Sequence, residues 1–117
     1  MFLGDKMKSQ MLKGVIEGVI LKIIKDKETY GYEIVETLRL NGFYNMTEST
    51  VYPILQRLSK KGLIFSSKEK SKVGPKRKYY YITKKGEDYL IDFSKDFLEL
   101  EENVRNILGV KNDNESR

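Results

Sequence analysis

The segment Glu48-Ser-Thr-Val-Tyr-Pro-Ile-Leu-Gln-Arg-Leu58 sets the tightest limit on what this chain can fold into. Val51, Ile54, Leu55 and Leu58 recur at i, i+3, i+4 and i+7, the apolar stripe of an amphipathic helix. Pro53 lies inside that stripe, and proline removes a hydrogen-bond donor from a helix interior. At 100° per residue, Ser49, Pro53, Gln56 and Lys60 point away from the stripe, with Tyr52 and Arg57 flanking them. The helix must therefore bury one face and leave a polar strip open. If it starts near Ser49 or Thr50, Pro53 falls in or beside the first turn, where its missing N–H has no internal partner. A start at Thr47 instead predicts a kink near Ser49, whose carbonyl loses its donor.

The rest of the chain supplies neighbours for the buried face. Residues 8–26 read as one helix, with Met11, Leu12, Val15, Ile16, Val19, Ile20, Ile23 and Ile24 on a wide apolar side. Residues 30–40 read as a second helix, capped by Thr29 and stopped by Asn41-Gly42. Gly31 near its start is placed to admit another backbone. The third helix covers 48–61 and stops at Lys61-Gly62. Residues 63–67 and 77–82 read as two strands around a turn at Gly74-Pro75, making a hairpin with a long tip. Tyr79, Tyr80 and Tyr81 in the second strand read as alternate packing and half-exposed side chains, with stacking on single-stranded nucleic acid as the rival. Thr83 caps a last helix of about 25 residues. Its stripe Leu90, Phe93, Phe97, Leu100, Val104 and Ile107 steps by three and four, as in a coiled coil. At roughly 37 Å it overhangs so small a core. Residues 111–117 read as a frayed tail.

Charge narrows the function. Residues 1–59 hold 8 basic and 7 acidic side chains, residues 60–85 hold 10 basic and one acidic, and residues 86–117 hold 4 basic and 9 acidic. One short segment thus carries the positive field, which points to a polyanion. The 117 residues suit one domain. Cysteine and histidine are both absent, which excludes disulfides, thiol chemistry and the commonest metal ligand and general base. No phosphate loop, metal spacing or nucleophile constellation occurs, so the chain reads as a protein without enzymatic activity, cofactor or metal. The N-terminus lacks the apolar core of a signal peptide, and the run Val19–Ile24 is too short to span a bilayer, so a cytoplasmic protein without membrane contact is expected.

The fold class expected is mainly α with a small antiparallel β-hairpin. It is a winged helix-turn-helix over residues 8–83, followed by a long C-terminal dimerisation helix over 84–110. Three motifs carry a resemblance: Tyr30-Gly31-Tyr32-Glu33-Ile34; Ser49-Thr50-Val51-Tyr52-Pro53 with Leu55, Arg57-Leu58 and Gly62-Leu63-Ile64; and Gly74-Pro-Lys-Arg77-Lys78-Tyr79-Tyr80 with Ile82-Thr83 and Gly86. In this order, across roughly residues 10–90, they resemble the PadR-like transcriptional regulators, in the branch with a single C-terminal helix. Ser49 stands where members often carry glycine. The resemblance implies a dimeric repressor whose DNA affinity responds to a small molecule or another signal. A winged helix used only for protein contacts is the alternative; its hairpin would lack basic residues.

The partner is then double-stranded DNA. Ser49, Thr50 and Gln56 can donate and accept, which suits base edges in the major groove. Arg57, Lys60 and Lys61, with Lys76, Arg77 and Lys78 of the wing, suit phosphates. For Lys60 and Lys61, capping of the helix C-terminus stands beside that reading. Tyr52 either reaches a phosphate or packs on the second helix. The last helix is expected to pair with a second copy through Leu90, Phe93, Phe97, Leu100, Val104 and Ile107, giving a two-fold dimer. Met11, Val15, Phe93 and Phe97 would line an effector pocket between protomers, or simply form dimer core.

Overall fold

Apolar periodicity and glycine stops partition the chain much as the sequence predicts, with one helix split and one strand added. The computed structural model describes residues 3–70 and 74–110. The middle of the wing tip, residues 71–73, and the tail, residues 111–117, lie outside the described residues. The helix expected over 8–26 is two: α1 (Leu3–Lys13) and α2 (Ile16–Asp26). Gly14 and Val15 separate them, tightened by i→i−3 bonds from Gly14 N to Met11 O (3.4 Å) and from Val15 N to Leu12 O (2.9 Å). Glycine is a poor helix interior; before the break, among the described residues, only Leu12 of α1 packs against the core, and that only in part, whereas Ile16, Ile20, Leu21 and Ile24 of α2 are buried in it. Met11 is exposed.

The second helix, α3 (Gly31–Leu40), is preceded by a two-residue strand, β1 (Thr29–Tyr30). Thr29 is therefore not the N-cap; Tyr30 occupies that position with extended backbone and no side-chain cap. Thr29 is fully buried and donates from Oγ1 to Glu33 Oε1 at 3.1 Å. The third helix is α4 (Glu48–Lys60), followed by β2 (Ile64–Lys70), β3 (Lys76–Ile82) and α5 (Lys84–Leu108). The sheet is antiparallel with order β1-β3-β2, not a bare hairpin. Thr29 pairs with Tyr80, and Ile64 through Lys70 pair with Ile82 through Lys76.

Val51, Ile54, Leu55 and Leu58 of α4 are buried against Ile20, Leu21 and Ile24 of α2 and Ile34, Val35 and Leu38 of α3 in one core. Full burial of each such side chain stabilises by about 1.5–3 kcal/mol. Both predicted glycine stops hold. Leu63 N bonds Leu58 O at 3.0 Å around Gly62 (φ 77°), and Phe43 N bonds Leu38 O at 3.0 Å around Gly42 (φ 102°).

Thr83 caps α5 as expected, its Oγ1 accepting from Gly86 N at 2.9 Å. The same hydroxyl donates to Gly62 O at 2.7 Å, and Thr83 N donates to Leu63 O at 3.0 Å. Leu90 is buried in the core of this single chain, so it is not part of an open stripe. Phe93 is half-buried, and Phe97, Leu100, Val104 and Ile107 are exposed, as are Ile91, Leu98 and Leu108.

Gly86 tests this junction. A Cβ there would lie 2.1 Å from Leu63 O and 2.7 Å from Ile82 Cγ1, and the nearer atom is backbone. Gly86→Ala should cost about 3 kcal/mol in urea denaturation. Gly14→Ala, whose Cβ meets only Met11 O at 3.9 Å, should leave the midpoint unchanged or raise it slightly.

Candidate nucleic-acid interface

α4 opens with Thr47 as N-cap, and its first internal bond runs from Val51 N to Thr47 O at 3.1 Å. Pro53 therefore sits past the first turn, contrary to the first-turn reading. The Ser49 carbonyl loses its i+4 donor, but Ser49 and Pro53 are both exposed, so water can serve it. The Thr47 hydroxyl lies 3.0 Å from Ser49 Oγ and 3.2 Å from Thr50 Oγ1. Three exposed hydroxyls thus gather at the start of the helix. Further along, Tyr52, Gln56 and Lys60 are exposed on the strip predicted for them.

The wing comes to that strip through α3. A cleft of about 360 Å³ is lined by Tyr30, Gly31, Tyr32, Glu48, Tyr52, Gln56, Arg77, Lys78 and Tyr80. It unites Tyr52 and Gln56 of α4 with Arg77 and Lys78 of β3. Lys76 is exposed further out on the wing, opposite Lys70 in register. Gly31 does admit a close neighbour, but a side chain rather than backbone: a Cβ there would lie 2.9 Å from Tyr52 Oη. Tyr52 thus packs on the start of α3 and still presents part of its ring to solvent. The Arg77 guanidinium lies over the Tyr30 ring at 4.5 Å, and Tyr30 meets Tyr79 edge-on at 5.3 Å. Tyr80 is buried, while Tyr79 and Tyr81 are half-buried, as the packing reading requires. The Tyr81 hydroxyl donates to the Glu69 carboxylate, which together with burial pushes the phenol pKa up. The ring stacks on Phe65 at 5.2 Å.

Tyr30, Tyr32 and Glu48 escaped the sequence reading as site residues. The aromatic pair flanking Gly31 was their available signal.

Arg57 and Lys61 are placed elsewhere. Arg57 Nε donates to Glu17 Oε2 at 3.1 Å and Lys61 Nζ to Glu17 Oε1 at 2.9 Å. Burial pushes the Glu17 carboxyl up, but the hydrogen bonds and charges of Lys61 and Arg57 outweigh it and hold the pKa below the ordinary 4.5. The same hydrogen bond and charge raise Lys61 above 10.5.

A second cleft, also about 360 Å³, lies between the α1–α2 break and α5. Val15, Phe93 and Phe97 line it with Gly14, Tyr89, Asp92, Asp96 and Leu100; Met11 does not. Phe93 and Phe97 stack at 6.1 Å. Among the described residues no helix is long and apolar enough to cross a membrane, and no cluster of metal-ligating side chains occurs.

A helix-turn-helix whose third helix offers a polar strip beside a basic antiparallel hairpin defines a winged helix-turn-helix protein. The family model for the transcriptional regulator PadR-like family matches residues 20–92. A PadR-like transcriptional regulator from Bacillus cereus strain ATCC 14579 is 44% identical and superposes with a TM-score of 0.80 over 87% of this chain and 99% of its own. A Streptococcus transcriptional regulator is 43% identical, with a TM-score of 0.78 over 84% of this chain and 96% of its own. An uncharacterised protein of Lysinibacillus sphaericus is 37% identical over 97 residues, 81% of this chain and 89% of its own length. The chain belongs to the PadR-like family of transcriptional regulators. Membership implies regulation through DNA binding.

The Glu17 cluster makes stability depend on pH with a defined sign. Its lowered pKa contributes stability that is fully present above 4.5 and is lost as pH falls through the depressed value. Lys61, raised, contributes fully below 10.5 and loses that as pH rises through its folded value. Urea midpoints measured from pH 7 down to pH 3 should fall less steeply in Glu17→Gln than in the unaltered protein.

Proposed function

We propose that the protein is a dimeric repressor that binds a pseudo-palindromic operator in double-stranded DNA and responds to a small molecule or other signal. The observation that carries this reading is the convergence of the α4 polar strip and the basic wing on one cleft. Residues 8–83 serve as the DNA-binding part and residues 84–110 as the dimerisation helix. In the major groove, Ser49, Thr50 and Gln56 meet base edges, where a hydroxyl or amide can pair in both directions. Tyr52, seated on Gly31, offers its hydroxyl at the groove's rim. Lys60 and the wing residues Lys76, Arg77 and Lys78 neutralise phosphates and fix orientation. Two such helices about 34 Å apart reach successive major grooves on one face of the duplex.

The dimer rests on the exposed stripe Phe97, Leu100, Val104 and Ile107, with Phe93 at its base. The cleft at Val15, Phe93 and Phe97 lies beside that stripe, and a partner helix would close it over an effector. A ligand that favours one tilt of α5 shifts the separation of the two reading helices and so the affinity.

Three measurements bear on this. Light scattering coupled to size exclusion at micromolar concentration should return a dimer; a monomer ends the two-fold reading. Replacing Lys76, Arg77 and Lys78 together by alanine should weaken binding to every DNA sequence. It should also flatten the dependence of log K on log salt by about 2–3, since each phosphate contact contributes about 0.9. Gln56→Ala should cost about 1–3 kcal/mol in discrimination at one base pair while leaving that slope intact.

A further inference from the structure

Glu17 does not line the cleft between α4 and the wing, yet it engages Arg57 of α4 and Lys61 just past its end. Its side chain is 18% exposed, while the Arg57 and Lys61 side chains are 53% and 49% exposed. The two cations stand four residues apart at the end of α4, 40 and 44 residues from Glu17 in sequence. Both point inward at one carboxylate rather than along the polar strip where Gln56 and Lys60 lie. Around them the backbone is held as well. Lys85 Nζ donates to Lys61 O at 2.8 Å, and Thr83 Oγ1 donates to the next carbonyl, Gly62 O, at 2.7 Å.

The residue after Glu17 has a matching role. Gly18 is buried under Phe93 of α5, so tightly that a Cβ would lie 2.3 Å from Phe93 Cε2. Neighbouring residues of α2 thus seat the end of α4 and the point where α5 leaves the core.

We propose that Glu17 is a positioning residue of the DNA-binding surface: it withholds Arg57 and Lys61 from phosphate and anchors the recognition helix to the segment of α2 on which α5 is seated. This inference rests on the DNA-binding reading and goes beyond it, because it removes two of the expected phosphate contacts and gives them a different task. Phosphate and Glu17 compete for the same two heads, and the carboxylate, already in place, holds them. The positive field that meets DNA then comes from Lys60 and the wing. A recognition helix with both C-terminal cations tethered keeps its angle to the groove, which favours discrimination among sequences over bare affinity.

The test is the salt dependence of duplex binding by the full-length protein, on random DNA and on a site selected from random sequence. Glu17→Gln keeps the side-chain shape and one acceptor but releases the cations. It should bind random duplex more tightly, steepen the slope of log K against log salt by about 1–2, and reduce preference for the selected site several-fold. Asp26→Asn removes the same charge from the same helix but releases only Lys22, paired with it at 2.7 Å, and should leave the slope unchanged. Arg57→Gln with Lys61→Gln should leave the slope of the parent protein unchanged and should cancel the gain in the Glu17→Gln background. An equal gain in Asp26→Asn, no gain in Glu17→Gln, or a loss of about two in the Arg57→Gln, Lys61→Gln protein would each overturn the inference. The last of these needs only substitutions at half-exposed positions, so it decides the matter even if Glu17→Gln folds poorly. Failure of the unaltered protein to bind any duplex would overturn the DNA-binding reading itself, and this inference with it.

Discussion

Three bonds made by Thr83 hold together the parts of the molecule that must act together. Its hydroxyl donates to Gly62 O and accepts from Gly86 N, and its amide donates to Leu63 O. Gly62 ends the α4 turn, Leu63 leads into β2, and Gly86 lies in the first turn of α5. One residue, through its side chain and its amide, therefore ties the end of α4, the base of the wing and the root of the long helix. Each bond is worth only about 1 kcal/mol net, but a buried donor or acceptor left unpaired costs more. The absence of a side chain at Gly86 is what lets the helix approach that closely. A residue that looks like a simple N-cap is thus a three-way joint.

The wing is fixed at its other end by a different kind of contact. β1 adds two residues to β3, and the Arg77 guanidinium lies over the ring of Tyr30, the N-cap residue of α3. A planar guanidinium stacks on an aromatic face and still keeps edge donors for a second partner. In the DNA-binding role proposed above, Arg77 would brace the wing and meet a phosphate at once, which an ammonium on a flexible stem does less well. Tyr52 over Gly31 makes the corresponding link from α4 to α3. The cleft between helix and wing is held open by aromatic contacts on three elements, so its shape is set before DNA arrives. Preorganisation of this kind lowers the ordering cost of binding.

Much of this was legible in the sequence, and what was not has physical reasons. Local signals were reliable. The stripe of α4, the stops at Gly42 and Gly62, the cap at Thr83 and the alternation around Tyr80 are all set by neighbours a few residues away. β1 was invisible because two residues carry no period; it exists only because β3 offers an edge. The break at Gly14 was hidden by an apolar pattern that runs across it, since periodicity reports which side is greasy and not whether the backbone stays continuous. Leu90 shares its stripe with Phe97 and Leu100, yet only Leu90 is covered by the core of this single chain. A stripe says that burial is wanted and is silent on what provides it. The ion pairs of Arg57 and Lys61 could not be read from local pattern, because Glu17 lies 40 and 44 residues upstream of them. The tyrosines flanking Gly31 became site residues only once the fold set the wing against them.

The α2 helix gives the proposed response to a signal a short mechanical route. Glu17 and Gly18 are consecutive, and at 100° apart they face different elements. Gly18 meets Phe93, and Phe93 also lines the cleft beside the exposed stripe of α5. A group entering that cleft, as proposed for an effector, would press on Phe93, whose ring is packed closely on Gly18 of α2. Any movement of α2 in reply is shared with Arg57 and Lys61 through a carboxylate that holds both. Packed interiors yield by rigid shifts rather than by smooth deformation. A displacement of α5 against α2 would therefore reach the end of α4 as a change of angle. The base of the wing, held to the same end of α4 through Thr83, would move with it. In the dimer proposed above, the tilt of reading helix and wing together is the variable that a duplex with fixed groove spacing would sense.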